Sequence, residues 1–133
     1  MRAALVFALA LIATPALAQP ADFLATGGRD PDMDLRPLIR QAERHPLGSR
    51  ENPVRVHTPR GQFAYLQTLR CSDGSPPQFR RVGNFGAGVY GSIIDGYDVR
   101  CAGAEPGRSM VYMDMYFPGH VETRPVPGFT IEP

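Results

Sequence analysis

Apolar residues recur at helical spacing once near the start of the chain and at strand spacing several times after it. Leu35, Leu38, Ile39 and Ala42 fall at i, i+3, i+4 and i+7, one stripe along a helix. Asp34 precedes the stripe as an N-cap, Pro37 is tolerated in the first turn and Pro46 stops the run, so a short helix ending near His45 is predicted. Arg36, Arg40 and Arg44 occupy its other side, interrupted by Glu43, as on a solvated helix face. From Asn52 the period becomes two: Val54 and Val56 alternate with Arg55 and His57. Pro59-Arg60-Gly61 reads as a turn, and residues 62–70 (QFAYLQTLR) as a strand ending at Cys71. Residues 72–78 form a loop on composition, and 81–88 is Gly-rich without a period. Residues 89–101 read either as one long strand, with Val89, Ile93, Tyr97, Val99 and Cys101 on one face, or as two strands joined by a hairpin turn at Asp95-Gly96. Residues 109–117 (SMVYMDMYF) give the clearest strand. Beyond Pro118-Gly119 the tail is broken by Pro and Gly, with room for one short strand around Val121, and the chain carries no internal repeat.

Residues 1–18 follow a different pattern. Arg2 precedes an unbroken apolar run over 3–13, Pro15 breaks it, and Ala16-Leu17-Ala18 offers small residues at both ends of a cleavage triplet. This is a secretory signal peptide cut after Ala18. The run is shorter than the roughly 20 residues a membrane-crossing helix needs. No transmembrane segment is expected after cleavage, and no Cys follows the cut to carry a lipid. The destination is the periplasm or the outside of a bacterial cell. Residues 19–33 are aperiodic and rich in Gly, Pro and Asp, which predicts a flexible lead, and residues 34–133 make a single small globular domain.

Cys71 and Cys101 are the only thiols of the chain, and in an oxidising compartment they predict one disulfide. If both end strands, those strands run in the same sense, or Asp95-Gly96 turns the second one back. The fold class that follows is α+β: a small mixed or antiparallel sheet of about three to five strands, one short N-terminal helix and a single disulfide.

Charge narrows the choice of partners. The 14 basic residues are all Arg, against 13 acidic ones, for a net charge of +1. Removing Arg2 with the leader leaves the exported part neutral, which argues against a nucleic-acid partner. The 14 Gly and 14 Pro approach the composition of disordered chains, but 7 Phe and 5 Tyr supply apolar surface for a small core.

Several motifs bear on chemistry. Gly86 to Gly91 spells G-x-G-x-x-G, which cradles a pyrophosphate only between a strand and a helix; here a β pattern follows, so a Gly-rich bend is expected. Asp30, Asp32 and Asp34 alternate as in a calcium loop, but Leu35 and Gln41 stand where that loop needs Gly and Glu. Asp114 lies between two tyrosines, and His120 and Glu122 are two residues apart, on one side of an extended segment. Together the three form a candidate metal site or a hydrolytic centre, with Met115 as a further ligand. The plainer reading pairs Asp114 with Arg70 or Arg100 across the sheet and leaves His120 in a loop. Met110, Met113 and Met115 with His120 suit copper(I), whereas core packing explains the methionines equally well. No G-x-S-x-G is present, His45 suits a helix C-terminus, and His57 reads as a surface residue.

Three stretches together have a familiar look: residues 46–55 (PLGSRENPVR), Ala64-Tyr65-Leu66 with Leu69-Arg70-Cys71, and residues 113–129 around Met113-Asp114-Met115-Tyr116, Gly119-His120-Val121-Glu122 and Val126-Pro127-Gly128-Phe129. They resemble a family of small exported bacterial proteins with no assigned activity. The resemblance implies export and one compact domain, and it transfers no functional residue. The expected function is therefore a non-enzymatic binding or envelope-associated domain, without a cofactor and with a possible protein partner in the envelope. The alternatives are a metal-binding protein or metal-dependent hydrolase using Asp114, His120 and Glu122, and an inhibitor or immunity-type protein.

Overall fold

The computed structural model describes residues 20–132, so the expected leader 1–18 lies outside the described residues. Where an irregular lead is expected, the chain forms helix α1 (Pro20–Thr26). The segment after it is tied down: Arg29 donates to Ser92 Oγ at 3.1 Å and to the Tyr116 carbonyl at 2.8 Å. Gly27 takes a left-handed φ of 62° with the Tyr116 ring where a Cβ would sit, so only glycine fits there.

Helix α2 (Leu35–Ala42) forms as the stripe predicts. The Asp34 side chain accepts the Arg36 N–H at 3.1 Å, capping the first turn. Leu35, Leu38, Ile39 and buried Ala42 pack against Tyr90 and Phe117.

Strand β1 (Val54–Arg55) leads into helix α3 (Thr58–Thr68), and here the expected strand over 62–70 is overturned. Pro59 fits the first turn of a helix, where its missing N–H costs nothing. Gln62, Tyr65, Leu66 and Leu69 fall at i, i+3, i+4 and i+7, and all four are buried. The same letters also alternate, and the core selected the helical face. Gly61 belongs to this helix rather than to a turn; a Cβ there would lie 3.4 Å from Val56. Strand β2 (Leu69–Arg70) follows directly.

Strands β3 (Gln78–Ala87), β4 (Ile93–Arg100) and β5 (Arg108–Asp114) complete a four-stranded sheet in the order β1-β5-β4-β3. β1 runs parallel to β5 and the other pairs are antiparallel, so the sheet is mixed. A separate pair joins β2 to β6 (Thr130–Ile131), and Val121 lies outside any strand. The Gly-rich stretch is the end of β3 and the tight turn that follows, closed by Gly88 N–H on Ser92 O at 2.8 Å and Gly91 N–H on Gly88 O at 3.0 Å. Asp95-Gly96 is no turn but the middle of β4, where Gly96 leaves room for the Phe85 ring.

One sheet face meets α3 in the core: Val54, Tyr97, Val99 and Met113 pack with Leu66 and Leu69. Complete burial of side chains this size contributes about 1.5–3 kcal/mol each. Cys71 and Cys101 close the disulfide with Cα atoms 5.8 Å apart. Because Cys71 follows a helix and β2, neither strand arrangement expected for it applies; the bridge pins the end of α3–β2 to the end of β4. On the other sheet face Asp98 accepts from Arg100 at 2.7 Å and Arg108 at 2.9 Å. Arg100 foremost, then Arg108, hold its carboxyl down to about 2.

Two predictions follow from this scaffold. The bridge spans 30 residues, so by loop-closure entropy Cys71→Ser and Cys101→Ser should each cost roughly 3.5–4 kcal/mol, and equally, in chemical denaturation. A variant as stable as the parent would refute the brace. Asp98 has a depressed folded-state pKa, so its stabilisation is present above the unfolded value and is lost as pH falls from 3.8 towards 2. Asp98→Asn should flatten the acid limb of a melting-temperature profile; an unchanged limb would contradict the pairing.

Candidate functional site

The three residues singled out from the sequence do not form one cluster. Asp114 ends β5, fully buried, with both oxygens engaged. Its Oδ2 accepts the Ser92 hydroxyl, and its Oδ1 accepts the Tyr116 N–H at 3.0 Å. It pairs with neither expected arginine: Arg70 bonds Glu132 at 2.8 Å, and Arg100 bonds Asp98. Burial pushes the Asp114 carboxyl above the ordinary carboxylate range, against the opposing pull of Ser92 and the Tyr116 amide.

His120 and Glu122 do come together, with Nε2 and Oε2 3.8 Å apart. Glu122 is buried; burial alone would raise its pKa, but the Arg124 side chain and N–H outweigh this and hold it below the ordinary value. His120 is pushed the other way, towards the neutral imidazole, first by burial and then by the Arg55 charge. At neutral pH the pair is thus a neutral imidazole beside an ionised carboxylate. His120 Nε2 is buried without a hydrogen-bond partner, as is Tyr90 Oη. Among the described residues no group of three or more His, Cys, Asp and Glu side chains is placed to hold a metal ion. Nor do the methionines gather: Met113 is in the core, Met115 packs against it, and Met110 is partly exposed.

His120 and Glu122 line one wall of a cleft of about 230 Å³. The opposite wall is α3, where Gly61 and Ala64 leave space and Tyr65 supplies an aromatic surface. Tyr65 is fixed by its hydroxyl, which donates to the Arg124 carbonyl at 2.9 Å. His57 lines the cleft too and also borders a second hollow of about 310 Å³ beside Leu24, Pro59 and Tyr116. Thr58, which lines the second hollow, holds a left-handed φ of 66°, a strained conformation for a β-branched residue. Phe117 anchors the cleft's surroundings: Arg29 and Arg55 lie over its ring at 4.9 and 5.6 Å, and Tyr90 meets it edge-on at 5.2 Å.

Sequence reasoning found His120 and Glu122 and read His57 correctly as exposed, but missed the α3 wall and the place of His57 beside the cleft. The available signal was the helical spacing of Gln62, Tyr65, Leu66 and Leu69 behind Pro59. No protein family, no curated protein and no solved structure matches the chain.

Asp114→Ala should cost about 1–3 kcal/mol, because it leaves the Ser92 hydroxyl and the Tyr116 amide without their acceptor. Asp114→Asn tests the charge. The folded protein binds the Asp114 proton more tightly than the unfolded chain does, so stability falls as pH rises from 3.8 through the raised folded value. The stability of the parent relative to the Asn variant should therefore decline across that window in urea titrations; a rising difference would reverse the assignment.

Proposed function

We propose that this chain is a small exported, non-enzymatic binding domain, and that its ligand occupies the cleft between α3 and residues 120–122. The observation that carries this reading is the unpartnered Nε2 of a neutral His120, set beside ionised Glu122 at the side of an otherwise apolar cleft. A buried polar atom without a partner is costly, and a ligand that supplies one relieves the cost. The volume, about 230 Å³, is below the roughly 300–1,000 Å³ of sites for drug-sized ligands. It suits a small molecule with an apolar body and one hydrogen-bonding group. Sites of this kind are mostly apolar, with a few placed polar groups giving orientation.

Export is supported by the leader pattern of residues 1–18 and by the disulfide, which belongs to oxidising compartments. No helix among the described residues is long and apolar enough to cross a membrane. We place the working protein in the periplasm or outside the cell. The resemblance to small exported bacterial proteins agrees with this placement and adds no ligand.

Indole and cyclohexanol are suitable probes, each an apolar body with one hydrogen-bonding group. Either should shift the backbone amide signals of Gly61, Ala64 and Val121. Ala64 is exposed, so Ala64→Leu should fill the cleft, abolish those shifts and leave the melting temperature within a few degrees of the parent. Shifts that persist in the filled variant, or none in the parent, would remove the cleft as the binding site.

A further inference from the structure

The four-stranded sheet ends at β3, which has β4 on one side and no strand on the other among the described residues. An edge strand turns alternate N–H and C=O groups away from its neighbour, ready to pair with another chain. Register shifts after Arg81 and after Asn84 interrupt β3, so the regular stretch is Gln78 to Arg81.

Two surfaces of opposite character flank that stretch. On one sheet face Arg80, Arg100 and Arg108 converge on the single carboxylate of Asp98, and their side chains remain 72%, 53% and 65% exposed. Three guanidiniums on one buried acid leave a surplus of positive charge. Arg80, Arg100 and Asp98 also border an open hollow of about 280 Å³ beside Gln78 and Phe79. On the other face Phe63 of α3 is half exposed, its ring 6.0 Å from Phe79 and 6.3 Å from Tyr97.

We propose that the Gln78–Arg81 edge receives an extended acidic segment of a partner protein, which adds a strand to the sheet. Successive side chains of a strand point to opposite faces. A segment alternating acidic and apolar residues therefore sets its carboxylates towards Arg80 and Arg100 and its apolar side chains towards Phe63 and Phe79. Main-chain bonds give such additions affinity and the side-chain contacts give them selectivity. Guanidinium forks match carboxylates in shape as well as charge.

Charge decides between an acidic partner and a second copy of this chain. Antiparallel self-pairing over Gln78–Arg81 would place Phe79 opposite Arg80 and gather Arg80 and Arg81 of both copies at one seam. In that register Arg80 of each copy lies diagonal to Arg81 of the other on the same face, and crowding like charges across one seam is unfavourable. A single-stranded nucleic acid needs open rings on which bases stack. On the basic face the rings Phe85 and Tyr112 lie under Arg50, whose guanidinium is 5.7 and 5.6 Å from them. This edge shares no residue with the α3 cleft, so either site can fail without the other.

The probe is a capped heptapeptide alternating Glu with Val, titrated into the isotopically labelled, disulfide-intact protein. Amide shifts and slowed hydrogen exchange should concentrate in residues 78–82. Arg80→Gln with Arg100→Gln should weaken binding about tenfold, the weight of two largely exposed charge-assisted contacts. The same peptide with alternate backbone nitrogens methylated, in the register that removes its donors, should not bind; this arm uses the unaltered protein. The proposal is overturned if residues 78–82 do not respond at millimolar peptide, or if a Lys-Val peptide binds as well. It is equally overturned if the same amides shift with protein concentration alone, as in self-association, or if oligothymidylate displaces the peptide.

Discussion

Where β5 runs out, the Asp114 carboxylate accepts the Ser92 hydroxyl and the Tyr116 amide, and Ser92 in turn accepts from Arg29. A carboxylate removed from water has to be satisfied at both oxygens, and here the donors come from different parts of the chain. One comes from the residue before β4, one from the segment leaving the sheet, and Arg29 brings in the N-terminal segment. The path of residues 115–122 starts from that junction. His57 pairs with Tyr116 beside it, Val56 O receives the Phe117 amide at 3.1 Å, and His120 arrives next to Glu122 facing α3. The cleft exists because this turn is held.

The other wall depends on a buried polar chain. Tyr97 donates to Gln62 Oε1 at 2.9 Å, Gln62 donates to Asp95 at 3.1 Å, and Arg81 reaches the second Asp95 oxygen at 2.7 Å. A glutamine inside a helix–sheet contact is costly unless each polar atom is matched, and matching it sets the rotation of α3 about its axis. That rotation sends Gly61 and Ala64 to the cleft and leaves Phe63 beside β3. One network thus supports both surfaces to which binding is assigned.

Much of this was legible residue by residue. The stripe behind Asp34 became α2, the single pair of cysteines became the bridge, and the SMVYMD part of the expected strand over 109–117 became β5, ending at Asp114, with Val111 and Met113 inward. The failures share a cause. Residues 62–70 fit both periods, because Tyr65, Leu66 and Leu69 satisfy helical spacing while Phe63, Tyr65 and Leu69 share one side of an extended strand. Only contact with Tyr97, Val99 and Met113 decides between them, and those residues are distant in sequence. Asp114 was recognised as unusual, but its partners lie 22 and 2 positions away and include a serine that carries no signal. The site was half visible for the same reason: His120 and Glu122 are sequence neighbours, whereas Gly61, Ala64 and His57 join them only through the fold.

The Phe117 ring stands between two regions described separately. Arg29, from the N-terminal segment, lies over it, and His120, from the cleft wall, meets it edge-on at 6.5 Å. The segment carrying Arg29 and the cleft wall carrying His120 therefore share a common aromatic side chain, on which a ligand in the proposed site would act. Whatever free energy passes between the two passes equally in both directions: a ligand that draws His120 closer changes the grip on Arg29 by the same factor by which that grip changes the ligand's affinity.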